Sequence, residues 1–443
     1  MNSGNGRSAM RFMSEGGVVV LLEESHDVPL VDVCLILRTG ATSDPLQKSG
    51  LTRMLARMVR MGTRRRQGKE IESMISGLGG RLSIEVSPST VALQGTVIQK
   101  NVEAFVGLLG DLISRPALRT TDLGYIKRET ESDLVAAREN DELLAARAFR
   151  STLFSGHPYA RSAVGCSQEI RRLSRKDLQN HHASHYVSGN LIIGLGGALD
   201  RGEAERLVSE KLSVLPNGVG PQSTVPKTKS RSGRRIVLVD KPGRTQTQMQ
   251  IGTLGGSIFD EDRFALAIAN TAFGGMFSSR LTEEVRGKRG WSYGASSALQ
   301  LGRRRDAWSM WTHPSSEDLV ACARLQLELL ESWVERGIKR SEMQFAKNFL
   351  INSHCFDVDT ADKRLGARID AELLELPGDA HLQYAKRIRS VRLADCNEAV
   401  QRRIDPNNLV IAVVASAPQV IDSLAKLPNV RSVEVVPSES VFE

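Results

Sequence analysis

A stretch rich in Pro, Gly, Ser and Lys, residues 216–235, interrupts the chain almost at its midpoint and sets the strongest limit on its architecture. It holds Gly218, Gly220, Pro221, Pro226 and Gly233 with little apolar content, so it reads as an exposed linker. The order of elements repeats on its two sides. The first half opens with strand patterns at 18–23 and 30–38, a helix at 47–61 and a shorter one at 69–77. Two more strands follow at 81–86 and 91–97, then helices at 101–114, 121–154 and 174–185, and a closing strand at 190–195. The second half repeats this with strands at 235–240 and 247–252 and a helix at 261–273. Strands at 292–300 and 307–313 come next, then helices at 318–336, 341–355, 361–374 and 383–388, and a closing strand at 408–415. Strands first, helices after and a returning strand predict two similar α+β domains. The expected division is residues 1–216, a linker at 217–235, and residues 236–443.

Length agrees with two bodies, because a single core rarely grows past about 250–300 residues and the chain has 443. Hydrophobic and charged fractions of 41% and 25% exclude a disordered chain. No apolar run approaches the roughly 18–20 residues of a membrane helix, and residues 1–17 lack the apolar core of a signal peptide. The expectation is a soluble protein without membrane insertion, cytoplasmic on the chain as given and periplasmic if a signal peptide was removed. The net charge of +8 favours acidic partners. Its basic runs, at 64–66, 231–235 and 303–305, are short and scattered, with no nucleic-acid motif around them, so no nucleic acid is expected. Five cysteines without a CxxC pair argue against a disulfide framework or a zinc ribbon.

The most informative stretch is Gly50-Leu51-Thr52-Arg53-Met54-Leu55-Ala56-Arg57-Met58-Val59-Arg60-Met61-Gly62-Thr63. It resembles the zinc helix of the pitrilysin/insulinase-type peptidases, the inverzincins, whose frame is G-[hydrophobic]-x-H-x-L-E-H-M-x-x-x-G-T. Gly50, Leu51, Leu55, Met58, Gly62 and Thr63 fit without a gap. Where the family has His, Glu and His, this chain has Arg53, Ala56 and Arg57. The family's third ligand, a downstream Glu, falls nearest Asp133. Two imidazoles at i and i+4 grip one Zn²⁺ while a carboxylate takes a proton from water. Arginine has no lone pair for a metal and stays protonated, and Ala56 is no base. No metal or other cofactor is expected in this chain. The resemblance runs from about Val18 to about Ala415 through Leu78-Gly79-Gly80, His157-Pro158-Tyr159, Asp240-Lys241-Pro242-Gly243 and Phe273-Gly274-Gly275. It implies two α+β domains, each a mainly antiparallel sheet flanked by helices, forming half of a clam-shell that pairs with another half.

In the second half, the segment from Ser279-Arg280-Leu281 through Arg286 to Tyr293 matches the family's S-R-L-x-x-x-[hydrophobic]-R-x-x-x-G-x-x-Y. The resemblance carries the family's substrate-binding and transition-state-stabilising Arg and Tyr onto Arg286 and Tyr293. The bland alternative is a helix-surface ion pair of Arg286 with Glu283 and a Tyr293 packed in a strand. Zinc-binding residues replaced and the Arg/Tyr pair present resemble the non-zinc-binding subunit of two-chain bacterial peptidases related to the mitochondrial processing peptidase. That implies peptide substrates and a heterodimer with a homologous H-x-x-E-H-bearing subunit, which would hold the zinc. Two alternatives stand beside it: a catalytically inactive scaffold like the core proteins of a respiratory complex, and a homodimeric peptide binder. His181 and His185 also sit at i and i+4, but no acidic third ligand is spaced to join them. The simpler expectation is two histidines near a helix C-terminus, favoured there by the helix dipole. No nucleophile elbow, Walker loop or dinucleotide fingerprint appears.

Overall fold

The computed structural model describes residues 7–14, 16–221, 225–230 and 232–443. Parts of the N-terminal segment, of the expected linker and of the 231–235 basic run therefore lie outside the described residues.

Twelve strands form two six-stranded sheets. The first contains β1 (Arg7–Met13), β2 (Val19–Ser25), β3 (Leu30–Leu37), β4 (Arg81–Val86), β5 (Val91–Ile98) and β6 (Leu191–Gly197), in the order β1-β2-β6-β3-β5-β4. The second contains β7 (Arg234–Asp240), β8 (Gln248–Leu254), β9 (Ala295–Leu301), β10 (Arg305–Thr312), β11 (Val410–Ala415) and β12 (Val430–Pro437), in the order β12-β7-β11-β8-β10-β9. Five strands of each sheet share one topology. The closing strand lies parallel to the opening one, with Val19 opposite Ile192 and Arg235 opposite Val410, and every other pairing within those five is antiparallel. The sixth strand is added differently. β1 pairs antiparallel with β2, whereas β12 pairs parallel with β7. The fold is thus two similar α+β modules, each with its own hydrophobic core.

The modules do not follow a single cut of the chain. One compact unit comprises Met1–Leu134, Arg161–Thr224 and Phe356–His381, and the other Val135–Ala160, Val225–Cys355 and Leu382–Glu443. Six of the helices are α1 (Leu51–Arg60), α2 (Thr120–Ala137), α3 (Asp141–Leu153), α4 (Arg175–His185), α5 (Leu319–Arg336) and α6 (Ala361–Leu373). The expected continuous helix at 121–154 is broken into α2 and α3, because the Asn140 side chain caps the new helix, accepting from Leu143 N at 3.0 Å. α3 then covers β8 and β11 of the second sheet, and α6 covers β2 and β6 of the first, so each half of the sequence lends a helix to the other module. α6 buries Leu365 and Ile369 among Val19, Leu21, Ile36 and Ile192. Its seat depends on Gly194, where a Cβ would stand 2.7 Å from Ile369 Cδ1. Likewise Gly252 makes room for Phe149 of α3, whose Cζ would lie 2.8 Å from a Cβ there. Among the described residues no helix is long and apolar enough to cross a membrane.

Candidate functional site

α1 starts where Asp44 gathers its free amides. The Asp44 carboxylate accepts from Gly50 N at 2.7 Å, from Thr52 N at 2.8 Å and from the Thr52 hydroxyl at 2.6 Å. Burial pushes this carboxyl up to about 6, and the hydrogen bonds from Thr52 and Gly50 oppose the shift. Leu51, Met54, Leu55, Met58 and Val59 face the core, a helical spacing that turns Arg53 and Arg57 to the other side, half-buried. Ala56 is buried.

The structure brings Arg57 and Asp133 together, with two partners the motif did not name. Arg57 reaches across to α2, where Nη2 lies 2.6 Å from Glu129 Oε2 and Nη1 donates to Thr130 Oγ1 at 2.8 Å. Asp133 Oδ2 is 3.4 Å from Nη1. Glu129 sits four residues before Asp133 on the same helix, and that i, i+4 spacing was the readable signal for it. Arg53 has its pKa lowered by burial and then by repulsion from Arg57, with Asp133 pulling it back. The Arg57 guanidinium therefore bridges α1 and α2 where the family's motif has its ligands. The residues present do not fit the metal: neither arginine offers a lone pair, and Ala56 offers no base. Among the described residues no group of three or more His, Cys, Asp or Glu could hold a metal ion.

His181 and His185 on α4 are buried core groups. Their rings lie 4.0 Å apart, His181 Nε2 is 2.9 Å from the Thr52 hydroxyl, and His185 Nδ1 is 3.0 Å from the His181 carbonyl oxygen. Burial pushes His181 down to about 3, with His185 and His182 adding to the shift. His182 and His185 stand in the last turn of the helix, as expected, and desolvation outweighs the dipole's preference for the cation.

Arg286 and Tyr293 come together in the second module. Ser279 opens a short turn of helix, and the chain then widens into a single π-turn, Glu283–Gly287, closed by Lys288 N donating to Glu283 O at 2.9 Å. Buried Leu281 and Val285 anchor this turn and leave Arg286 at the surface side. Tyr293 lies just ahead of β9. The bend holding it is pinned by His313 N donating to Ser292 Oγ at 2.9 Å and by Gly294 N donating to His313 Nε2 at 3.0 Å. The ring is turned outward, 77% exposed. Arg286 Cζ stands 4.3 Å from the centre of the Tyr293 ring and 4.5 Å from that of Phe277. Neither half of the bland alternative is present. Glu284, not Arg286, takes the local ion pairs, to Lys288 at 2.6 Å and Arg289 at 2.8 Å. Among the described residues the Arg286 side chain makes no hydrogen bond or ion pair. Phe277 carried almost no signal in the sequence beyond being an aromatic residue between Gly275 and Ser279.

Two family models match the chain: the insulinase domain of peptidase family M16 over residues 19–167, and the peptidase M16 inactive domain over residues 172–350. A relative in Helicobacter pylori, the non-peptidase homolog YmxG, is 20% identical over 91% of this chain and 93% of its own length. An uncharacterized zinc protease of Mycobacterium tuberculosis is 26% identical over 81% of this chain and 82% of its own. Among solved structures, a peptidase M16 inactive domain from Pseudomonas fluorescens aligns with a TM-score of 0.86 at 21% identity, covering 92% of this chain and 98% of that one. The first half of the periplasmic protease PqqL from Escherichia coli aligns with a TM-score of 0.75 at 16% identity, covering 94% and 93%. With the duplicated sheets, the α1 frame and the turn bearing Arg286 and Tyr293 in place, the chain belongs to the M16, or insulinase-type, peptidase family.

Proposed function

We propose that this chain is the non-zinc-binding subunit of a heterodimeric zinc metallopeptidase, supplying Arg286 and Tyr293 to an active site whose zinc and base come from an H-x-x-E-H-bearing partner. The observation that carries this reading is the contrast between the two sites. At the metal-motif position the Arg57 cation is matched to carboxylates of its own chain, whereas Tyr293 is exposed and Arg286 has no hydrogen bond or ion pair among the described residues. The description of YmxG as a non-peptidase homolog, and of the Pseudomonas domain as inactive, supports the absence of activity in the chain alone.

The chemistry follows from the side chains. Peptide hydrolysis builds negative charge on the former carbonyl oxygen. The Tyr293 O–H donates to that oxygen, and the planar fork of Arg286 holds a neighbouring carbonyl or a carboxylate of an extended peptide. One preorganised donor to such an oxyanion is worth about 10²–10³ in rate. The test is co-expression with an H-x-x-E-H-bearing homologue and an assay of peptide cleavage. We expect no turnover by either chain alone, and a loss of about 10²–10³ in kcat for Tyr293→Phe in the pair. A catalytically inactive scaffold gives the opposite result: unchanged turnover in both Tyr293→Phe and Arg286→Ala sinks the proposal.

A further inference from the structure

Arg286 is held in an unusual way for a long, charged side chain. The side chain has no hydrogen bond or ion pair among the described residues, and its guanidinium carbon stands over two aromatic rings, 4.5 Å from the centre of Phe277 and 4.3 Å from that of Tyr293. Both rings are largely in water, at 74% and 77% exposure, so neither is there to fill the core. Phe277 reaches this place because the segment after Gly275 turns sharply. Ser279 N closes it onto Met276 O at 3.0 Å, and the Ser279 and Thr282 hydroxyls lie 2.9 Å apart in the buried turn beneath. The backbone on either side of Phe277 is thereby fixed independently of its ring.

A cation between two π faces is attracted to both, and each exposed contact of this kind favours the stacked arrangement by about two- to fivefold. A guanidinium's N–H bonds lie in its own plane. Contact through its faces therefore leaves the in-plane donors free of the rings and open to another acceptor. We infer that Phe277 is a positioning residue: with Tyr293 it clamps the Arg286 plane and aims its donor fork at the carbonyl or carboxylate of a bound peptide. The clamp itself is a property of this chain; the peptide it serves rests on the function proposed above.

Two measurements separate those layers. In the chain alone, the side-chain Nε–H signal of Arg286, assigned through Arg286→Lys, is expected to be shifted upfield by the two flanking rings. Phe277→Ala should move it toward the position of a free arginine, Phe277→Leu likewise because bulk without a π face is not enough, and Phe277→Tyr should leave it in place. In the reconstituted pair, Phe277→Ala should lower kcat by about two- to fivefold, Phe277→Tyr should restore it, and Phe277→Ala should add nothing in an Arg286→Ala background. An Arg286 signal unmoved by Phe277→Ala overturns the clamp, whatever the activity. Equal losses from Phe277→Ala with and without Arg286 overturn the positioning role. A signal that moves while Arg286→Ala leaves turnover intact upholds the clamp and removes the proposed function instead.

Discussion

The helix lent to the first sheet is tied there by a buried ionic triad, which makes its dependence on one carboxylate measurable. Glu23 on β2 is only 8% exposed at its side chain and faces two arginines of α6. Arg364 Nε donates to Oε1 at 2.6 Å, and Arg368 Nη1 lies 3.5 Å from Oε2, with side chains 16% and 10% exposed. The Arg368 pKa is lowered by burial, and Glu23 is the charge that pulls it back. Glu23→Gln keeps shape and one acceptor but leaves two desolvated cations without a counter-charge. Breaking a buried pair in this way costs about 3–5 kcal/mol. Here the lower end applies, because Arg368 keeps its bonds to the Leu22 and Met10 carbonyls at 2.6 and 2.7 Å and Arg364 keeps Val358 O and Asp359 O at 3.3 and 3.2 Å.

The assay is thermal or urea unfolding followed by far-UV circular dichroism, which reports both modules. Tryptophan fluorescence reports one, since Trp291, Trp308, Trp311 and Trp333 all belong to the second unit. A loss of about 3 kcal/mol at 2–4 °C per kcal/mol, the range for domains of roughly 150–250 residues, lowers the midpoint of the first module by about 6–12 °C. The triple variant Glu23→Leu, Arg364→Met, Arg368→Leu removes both charge signs together and should fall close to wild type, because an apolar replacement of a whole buried cluster carries no orphaned ion. A dichroism thermal midpoint for Glu23→Gln within about 2–4 °C of wild type, the equivalent of about 1 kcal/mol, would refute the assignment of the triad as the tie.

Two further outcomes concern the first module. His181 binds its proton far less readily folded than unfolded, with a pKa pushed down to about 3 by burial, so the unfolded chain takes up more protons between roughly pH 6.5 and 3. Stability is complete above that window and declines as pH falls through it, by up to about 1.4 kcal/mol per pH unit, and His181→Gln should flatten this limb; equal slopes in urea titrations from pH 7 to 4 would contradict it. Rebuilding the family's ligands with Arg53→His, Ala56→Glu, Arg57→His and Asp133→Glu should give a chain that retains about one zinc per molecule after dialysis. Elemental analysis showing no metal in that variant would mean that α1 and α2 do not meet at ligating distance.

How much of this was legible in the sequence depends on whether a signal is local. The α1 helix could be read from apolar spacing and its frame from the resemblance to the family, and the duplicated strand order from alternation and turn residues. The Asn140 cap was readable too, since Asn140-Asp141-Glu142 is a helix start with acidic residues in the first turn; the charged run before it masked the break. The exchange of α3 and α6 was not readable. An amphipathic stripe says that Leu365 and Ile369 must be covered, not which sheet covers them, and Gly194 becomes informative only once Ile369 lies over it. β12 escaped because it is an edge strand with little burial and so carries no clean alternation. Phe277 was invisible for a related reason, its role being a contact made sixteen residues from Tyr293 and nine from Arg286.

The two sites differ in what they return to the chain that carries them. A zinc ion between α1 and α2 would supply both a reactive centre and a cross-link. Arg57 keeps only the second of these: its fork bridges the helices through Glu129, Thr130 and Asp133 with charge-assisted bonds. Nothing comparable is gained at the other site. Among the described residues Arg286 forms no ion pair there, its stacking on exposed rings is weak, and an outward Tyr293 contributes almost no burial. A position converted to self-contained stability needs no partner to explain it. A weakly stabilising donor pair is what the proposed function accounts for, since its return would come from a second molecule and not from this chain.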